Sequence, residues 1–420
     1  MFGNFHELHV QPLARALKTR ADYHISLLES VPPGDELLRS RPTAFDHVYS
    51  IPVASEGLGR VNCLRQVGKL LLRRKCVSRF MTLYRLLAPM ARTSSSRQYW
   101  KQFCRTADEL QRRALLSRIV EEFDLFHLHY MDPSLSETIR LLPRGSKLIV
   151  SIWGSDLMRS SGARNYIGQL ELCERASFIT VRSLELREMF LTKFGRHFAP
   201  KLRIAKFGST TLSRIDVQDI RSLRTAFREE FTIPENKVIV CVGHNGNVDN
   251  RHIEVLEALS GLDSSVKNGL TLVIPMTYGA PTGYANDVRA AVERAGGDFR
   301  IIDKFMDSEA VLQLRAATDI MLHFPVSDAL SAAMCETIYA GNLVVTGAWL
   351  PYGELRRRKV HFLEITRFPD LCATLAASIG DLTRHRAMVN STKEKLREVL
   401  DWEELSEGWE KVYASALGNW

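Results

Sequence analysis

Residues 319–351, DIMLHFPVSDALSAAMCETIYAGNLVVTGAWLP, read as strand, loop, helix and strand, and the rest of the chain is ordered by that unit. Residues 320–324 form a short, nearly continuous apolar run, the pattern of a strand covered on both faces of a parallel sheet. Ser327 and Asp328 are candidate N-caps for a helix running on through Ala332, Met334 and Ile338. Gly341 stands where helices end on a left-handed residue. Residues 343–346 are the next strand. Open parallel sheets bind ligands at the carboxyl ends of their strands, near helix N-termini. Small side chains at Ser331, Ala332 and Ala333 leave room for an anion at the first-turn N–H groups, where the helix dipole favours a diphosphate. Glu336 follows Asp328 by two helical turns and roughly 80° of rotation. One carboxylate is placed to flank the mouth of a site, the other to reach a sugar or ribose hydroxyl.

Upstream of this unit the same alternation repeats. Strands are predicted at 238–242, 270–275 and 299–302, with helices at 251–262, 284–295 and 308–317. A helix at 217–231 opens this half of the chain. Earlier still, strands at 123–130, 147–153, 177–181 and 202–206 alternate with helices at 133–142, 166–175 and 183–194. Such alternation implies parallel βαβ units in doubly wound sheets. Downstream, helices are expected at 369–379 and 386–400, and an aromatic-rich helix at 401–420. The chain opens on a predicted helix at 6–20, followed by strands at 21–30 and 45–53. Only Met1-Phe2-Gly3 stands where a strand should precede that helix. Either the first strand is vestigial or the start has been placed a few residues late.

With 420 residues, 45% of them hydrophobic and 25% charged, the chain suits two globular domains. We expect residues 1–208 to form one α/β domain and 209–400 a second, with 401–420 returning to the first. The net charge of +8 points to an acidic partner. Much of the positive charge falls in a helical insertion at about 57–119, where Arg73, Arg74, Lys75, Arg79 and Arg85 interleave with apolar residues and Asp108 and Glu109 are the only acids. That pattern reads as a segment lying on an anionic membrane surface, or as a helical insertion with a solvated basic face. No nucleic-acid motif accompanies the charge, so nucleic acid is not expected as a partner. The seven cysteines form no CxxC pair and point to a reducing compartment. No apolar run approaches the roughly 20 residues of a membrane span, and Met1–Val10 lacks the apolar core of a signal peptide. The expected location is cytoplasmic, peripheral on the inner face of the membrane.

Several short stretches carry candidate chemistry. Gly243-His244-Asn245-Gly246-Asn247 lies between a strand and a helix. Its glycines suit either close approach to phosphate or a simple tight turn. Tyr278, after the 270–275 strand, could stack on a base, bond a phosphate, or anchor a surface loop. In Trp153-Gly154-Ser155-Asp156, Asp156 is placed to take an acceptor proton or to cap the following turn. His127 and His129 share one strand face, to meet substrate or to serve as buried structural groups. No third ligand at fitting spacing accompanies them, and no metal site is predicted.

Together IWGSD (152–156), VGHNGNVDNRHI (242–253), VIPMTYG (273–279) and the 319–345 element resemble, in that order, the bacterial 4-acetamidofucosyltransferase of enterobacterial common antigen and its relatives, a GT-B family. The acid, seven residues, then Glu of Asp328 and Glu336 resembles the donor motif of retaining GT-B glycosyltransferases, with Asp where Glu is usual. The resemblance implies two Rossmann-like domains facing across a cleft. It implies a glycosyltransferase moving a sugar from a nucleotide-sugar donor to a polyprenyl-diphosphate-linked glycan during surface polysaccharide synthesis. Helix N-termini and backbone N–H groups can neutralise the leaving diphosphate and no DxD-like carboxylate pair stands out, so no metal or cofactor is expected. Carried over by position, the resemblance assigns Trp153, Gly154 and Asp156 to the acceptor-side cleft wall, and Gly243, Asn245, Gly246 and Tyr278 to the donor side. The residues' own placement adds His127 to the acceptor side, Asp156 and His129 as catalytic candidates, and His244, Asp328, Ser331 and Glu336 to the donor side. The sugar is not carried over, and Trp153 stands where many acid-pair relatives have His. A nucleotide-sugar epimerase or a sugar phosphorylase could use the same architecture, and so could a non-catalytic scaffold.

Overall fold

A computed structural model describes residues 10–31, 43–52, 116, 120–140, 142–143 and 145–418. Apart from Leu116, the basic stretch predicted at 57–119 falls outside them, as do Met1-Phe2-Gly3. Twelve strands are described: β1 Ser26–Val31, β2 His47–Pro52, β3 Leu125–His129, β4 Lys147–Ser151, β5 Phe178–Val181, β6 Leu202–Ile204, β7 Val238–Val242, β8 Leu270–Pro275, β9 Asp298–Ile302, β10 Ile320–His323, β11 Leu343–Gly347 and β12 Leu363–Ile365. Every pairing observed is parallel. This is the outcome expected where each strand is followed by a helix that must return over the sheet.

The chain divides into two compact units. The first holds the described residues up to Ile152, Ser161–Thr180 and those from Glu410 onward; the second holds Trp153–Ser160 and Val181–Trp409. In the first unit β1 pairs with β2, and β4 lies between β3 and β5. In the second, six strands run in the order β12-β11-β10-β7-β8-β9. Burial of every residue of β8, β10 and β11 accounts for their mostly apolar runs, since helices cover both faces of that sheet. Among the described residues no helix is long and apolar enough to cross a membrane.

Caps decide several boundaries. Ser183 and Asp307 accept from N–H groups of the first turns of helices Leu184–Phe194 and Ser308–Ala317, and both helices fall close to their expected spans. The helix after β10 does not start at Ser327 or Asp328. It spans Ala332–Tyr339, and Ser331 caps it by accepting from Met334 N–H at 3.2 Å. The helix expected at 217–231 is two helices, Thr210–Val217 and Ile220–Glu230. Gln218 is extended and the Asp219 carboxylate accepts from Arg221 N–H, so the short acid starts a new helix instead of sitting inside a long one. Residues 386–400 likewise divide, among Leu382–Thr392, a 3-10 turn and Arg397–Leu400. Strand β12 was not expected; only three residues long, it has no run for a periodicity to act on.

Candidate functional site

The second unit's strand order places a switch point between β7 and β10. From β7 the chain proceeds outward through β8 to β9, then returns to the other side of β7 and proceeds outward through β10 to β11 and β12. Crossovers to opposite sides leave the loops after β7 and β10 diverging at the carboxyl edge, which opens a crevice there. Gly243 N–H donates to Leu322 O at 3.0 Å and so ties the start of one loop to the strand of the other. Gly243 has φ +70°, and a Cβ there would meet His252 Nε2 at 2.7 Å, so both backbone and space require glycine.

The β7 loop is held by its own side chains. Asn245 Oδ1 accepts from Asn247 N–H at 3.0 Å and from Asn250 Nδ2 at 2.8 Å, while Gly246 N–H donates to Tyr278 O at 2.8 Å. Asn245 and Gly246 therefore shape the loop, and Tyr278, 53% exposed, leaves its ring open to solvent. The imidazole of His244 points elsewhere: its centroid lies 5.5 Å from that of His323, the last residue of β10. Neither His244 Nδ1 nor His323 Nδ1 meets a hydrogen-bond partner, and both atoms are buried.

Asp328 is the acid of this group. Its Oδ2 lies 3.3 Å from His323 Nε2 and accepts from Tyr352 Oη at 2.9 Å, and its Oδ1 accepts from Ala329 N–H at 2.7 Å. Burial pushes the Asp328 carboxyl up, but His323, His244 and Tyr352 together hold it down at about 2. Arg182, just beyond the last residue of β5, adds a positive charge that interacts with Asp328, Cys335 and Tyr352. It is 7% exposed, and its Nε and Nη2 atoms are buried without a hydrogen-bond partner. Asp328, His323, His244 and Arg182 thus bring one anion together with the unused N–H donors of a guanidinium and with two imidazole nitrogens that lack partners. Such donors are costly to bury empty and suit a ligand with several acceptor oxygens.

Sequence reasoning missed His323, Tyr352 and Arg182. Position alone marks two of them, since His323 ends β10 and Arg182 immediately follows β5. Glu336 was expected to face the ligand. Here it is buried, and its carboxylate accepts from Ser209 Oγ at 2.6 Å and from Arg315 Nε at 3.2 Å. Arg315 is itself buried. Ser331, the helix cap, lines the start of the same helix.

Residues 153–160 belong with this unit. Gly154 has φ +125° and lies against the β10 loop; a Cβ would come within 2.6 Å of Ala329 Cβ. Arg159 Nε donates to Ser327 Oγ at 2.9 Å and Nη1 to Asp249 at 2.5 Å. The Trp153 ring packs at 5.6 Å from Phe207. Asp156 is buried, and its carboxylate accepts from the N–H groups of Trp153, Gly154 and Leu157 at 2.8–3.2 Å. That is the geometry of a turn anchor. Asp156→Asn should therefore lower stability by about 1–3 kcal/mol, because one acceptor oxygen becomes a donor facing N–H groups. Thermal melting measures this. A loss of turnover larger than the lost folded fraction would give Asp156 a direct part in the reaction.

His127 and His129 lie in the first unit and are buried, their rings 3.8 Å apart. His127 Nδ1 lies 2.6 Å from Tyr413 Oη and Nε2 2.6 Å from Ser151 Oγ, which in turn is 2.6 Å from Thr180 Oγ1. Burial drives the His127 imidazole well below its usual range. Among the described residues no group of three or more His, Cys, Asp or Glu could hold a metal ion.

Buried histidines also set a pH dependence. Desolvation lowers His252 to about 4 and, with His323 nearby, His244 to about 3. In the unfolded chain each titrates near 6.5 and binds protons that the fold refuses. Stability is then complete above about pH 6.5 and falls as the pH drops toward the folded values. We expect the melting temperature to decline between about pH 6.5 and 4. In His252→Gln the slope should be smaller by up to about 1.4 kcal/mol per pH unit. An unchanged slope in that variant would remove His252 from the effect.

No protein-family model matches the chain, and no curated protein does. Solved structures do match. A glycosyltransferase from Rickettsia africae aligns over 98% of this chain and 94% of its own, with a TM-score of 0.65 and 11% identity. WaaG, a glycosyltransferase involved in lipopolysaccharide biosynthesis, covers 96% and 94%, with a TM-score of 0.61 and 14% identity. HepE of Anabaena, solved in complex with UDP and glucose, covers 72% of this chain and 81% of its own, with a TM-score of 0.58 and 16% identity.

The fold is GT-B. At these identities the similarity concerns architecture, and the GT-B chain described here carries its own set of polar groups at the switch point.

Proposed function

We infer that this GT-B chain is a glycosyltransferase that binds the diphosphate of a nucleotide sugar at the β7–β10 switch point. The observation that carries this reading is the buried guanidinium of Arg182, whose Nε and Nη2 donors lack partners, together with the unpartnered ring nitrogens of His244 and His323, gathered beside Asp328 at the carboxyl edge of a doubly wound sheet. A diphosphate supplies the acceptor oxygens and the negative charge that such donors lack. HepE, of the same fold, binds UDP-glucose, which supports a nucleotide sugar as the ligand. Donors of this kind neutralise a leaving diphosphate without a metal ion, so the reaction is metal-independent and uses no cofactor. Tyr278, exposed on the adjoining loop, is suited to stack on the base. Ser331 and the first turn of its helix lie on the donor side.

The acceptor is a polyprenyl-diphosphate-linked glycan of a surface polysaccharide, and the chain acts at the inner face of the cytoplasmic membrane. The basic, apolar-interleaved stretch at 57–119 supports a membrane-facing acceptor side. A screen of UDP-, GDP- and dTDP-sugars for thermal stabilisation tests the donor reading. A ligand at about 100 times its Kd adds about 2.7 kcal/mol. If no nucleotide sugar stabilises the full chain, the reading fails.

A further inference from the structure

The opposite edge of the second unit's sheet carries a different concentration of charge. At the amino ends of β10 and β11 lies a recess of about 460 Å³, lined among others by Arg221, Arg224, Arg386, Lys393, Asn390 and Gly341. No carboxylate lines it. Beneath it Asp319 is almost fully buried. Its Oδ1 accepts from both Arg224 and Arg386, and its Oδ2 accepts from Ile239 N–H at 2.7 Å and lies 3.5 Å from Arg228 Nη2. Asp319 therefore answers Arg224 and Arg386, Arg228 divides between it and Glu235 at 3.9 Å, and Arg221 and Lys393 add charge on the rim. Burial lowers the Arg386 guanidinium, Asp319 opposes that, and Arg224 lowers it further. This excess of positive charge within one concavity is the complement of a compact polyanion. Strand β10 separates the recess from His323: four residues at about 3.3 Å each place the two edges roughly 13 Å apart. The recess is thus distinct from the switch point.

We propose that this recess is a second ligand site, which binds a phosphate-bearing anion through Arg221, Arg224, Arg386 and Lys393. Arg224 and Arg386 stay fixed by Asp319 and present their remaining N–H groups, while Arg221 and Lys393 close on the anion from the rim. Asn390 and the Gly341 backbone offer neutral contacts beside them.

Titration calorimetry with inorganic pyrophosphate at constant ionic strength tests the proposal. The reference chain is Arg182→Gln, which removes the switch-point guanidinium. The comparison chain carries Arg221→Gln and Lys393→Gln in addition, substitutions that leave the Asp319 cluster intact. The reference should bind pyrophosphate, the comparison chain should bind at least tenfold more weakly, and the two should melt within a few degrees of each other. Arg221→Lys with Lys393→Arg, which keeps the charges, should restore binding. Absence of binding in the reference, or equal binding in both chains, overturns the proposal. Vesicles containing phosphatidic acid, run beside the titration, separate the two sources of phosphate. Recruitment lost in the Gln pair supports a lipid-borne phosphate, and pyrophosphate binding without recruitment supports a free one.

Discussion

Glu336→Ala should unfold the second unit at a markedly lower temperature. The substitution leaves Arg315 buried with its Nε partner gone, and removes the acceptor of Ser209 Oγ as well. Breaking one side of a buried pair costs about 3–5 kcal/mol, because the remaining charge has lost its compensation. For a unit of this size that corresponds to roughly 6–20 °C in melting temperature. Glu336→Gln keeps an acceptor for Ser209 and should lose less. Glu336→Gln with Arg315→Met removes both charges and should recover much of the stability, since neither ion is left buried alone. Thermal melting of the three variants decides the matter. A Glu336→Ala chain that melts normally would show that the pair contributes little and would return Glu336 to the ligand. The sequence alone places Glu336 to reach a sugar or ribose hydroxyl, a role whose loss would spare the fold.

Arg182→Gln should have the contrasting profile. Its Nε and Nη2 meet no hydrogen-bond partner, and Asp328 keeps His323, Tyr352 and Ala329 N–H as partners. The fold should survive. If Arg182 answers the donor diphosphate, the variant forfeits a desolvated charge pair in the complex. Losing one partner of such a pair costs about 2–5 kcal/mol, a rise in Kd of roughly thirtyfold to several thousandfold. The measurement is calorimetric titration with the nucleotide sugar that stabilises the wild-type chain. Unchanged affinity in a folded Arg182→Gln would take Arg182 out of the site and leave its empty N–H groups without an explanation. Read together, the two variants separate a charge that holds the fold from one held ready for a ligand.

What the amino-acid sequence determines by itself is local. Runs such as Val238–Val242, Leu270–Pro275 and Ile320–His323 are apolar but for Thr271 and His323, because both faces of their sheet are covered, and their lengths mark them as strands. Helices Tyr284–Ala295 and Ser308–Ala317 follow from apolar spacing and, for the second, from a cap acid. The alternation of these elements dictates parallel crossovers, and the glycine turns at strand ends mark the carboxyl edge, where open parallel sheets in general bind ligands. Boundaries fail where two caps compete within a few residues, as Asp328 and Ser331 do: both side chains can accept from a first turn, and only the path of the chain out of β10 selects Ser331. The choice of partners for the charged residues is not local at all. Arg182 and Asp328 are brought together by a strand end and a loop far apart in the chain, and His244 meets His323 because β10 pairs with β7, not with the strand before it. Asp156 and Glu336 read equally well as reacting groups or as anchors, because a carboxylate carries no mark of which donors it will meet. Three backbone N–H groups for one, and Arg315 with Ser209 for the other, are supplied by tertiary structure, which decides whether each charge holds the fold or faces a ligand.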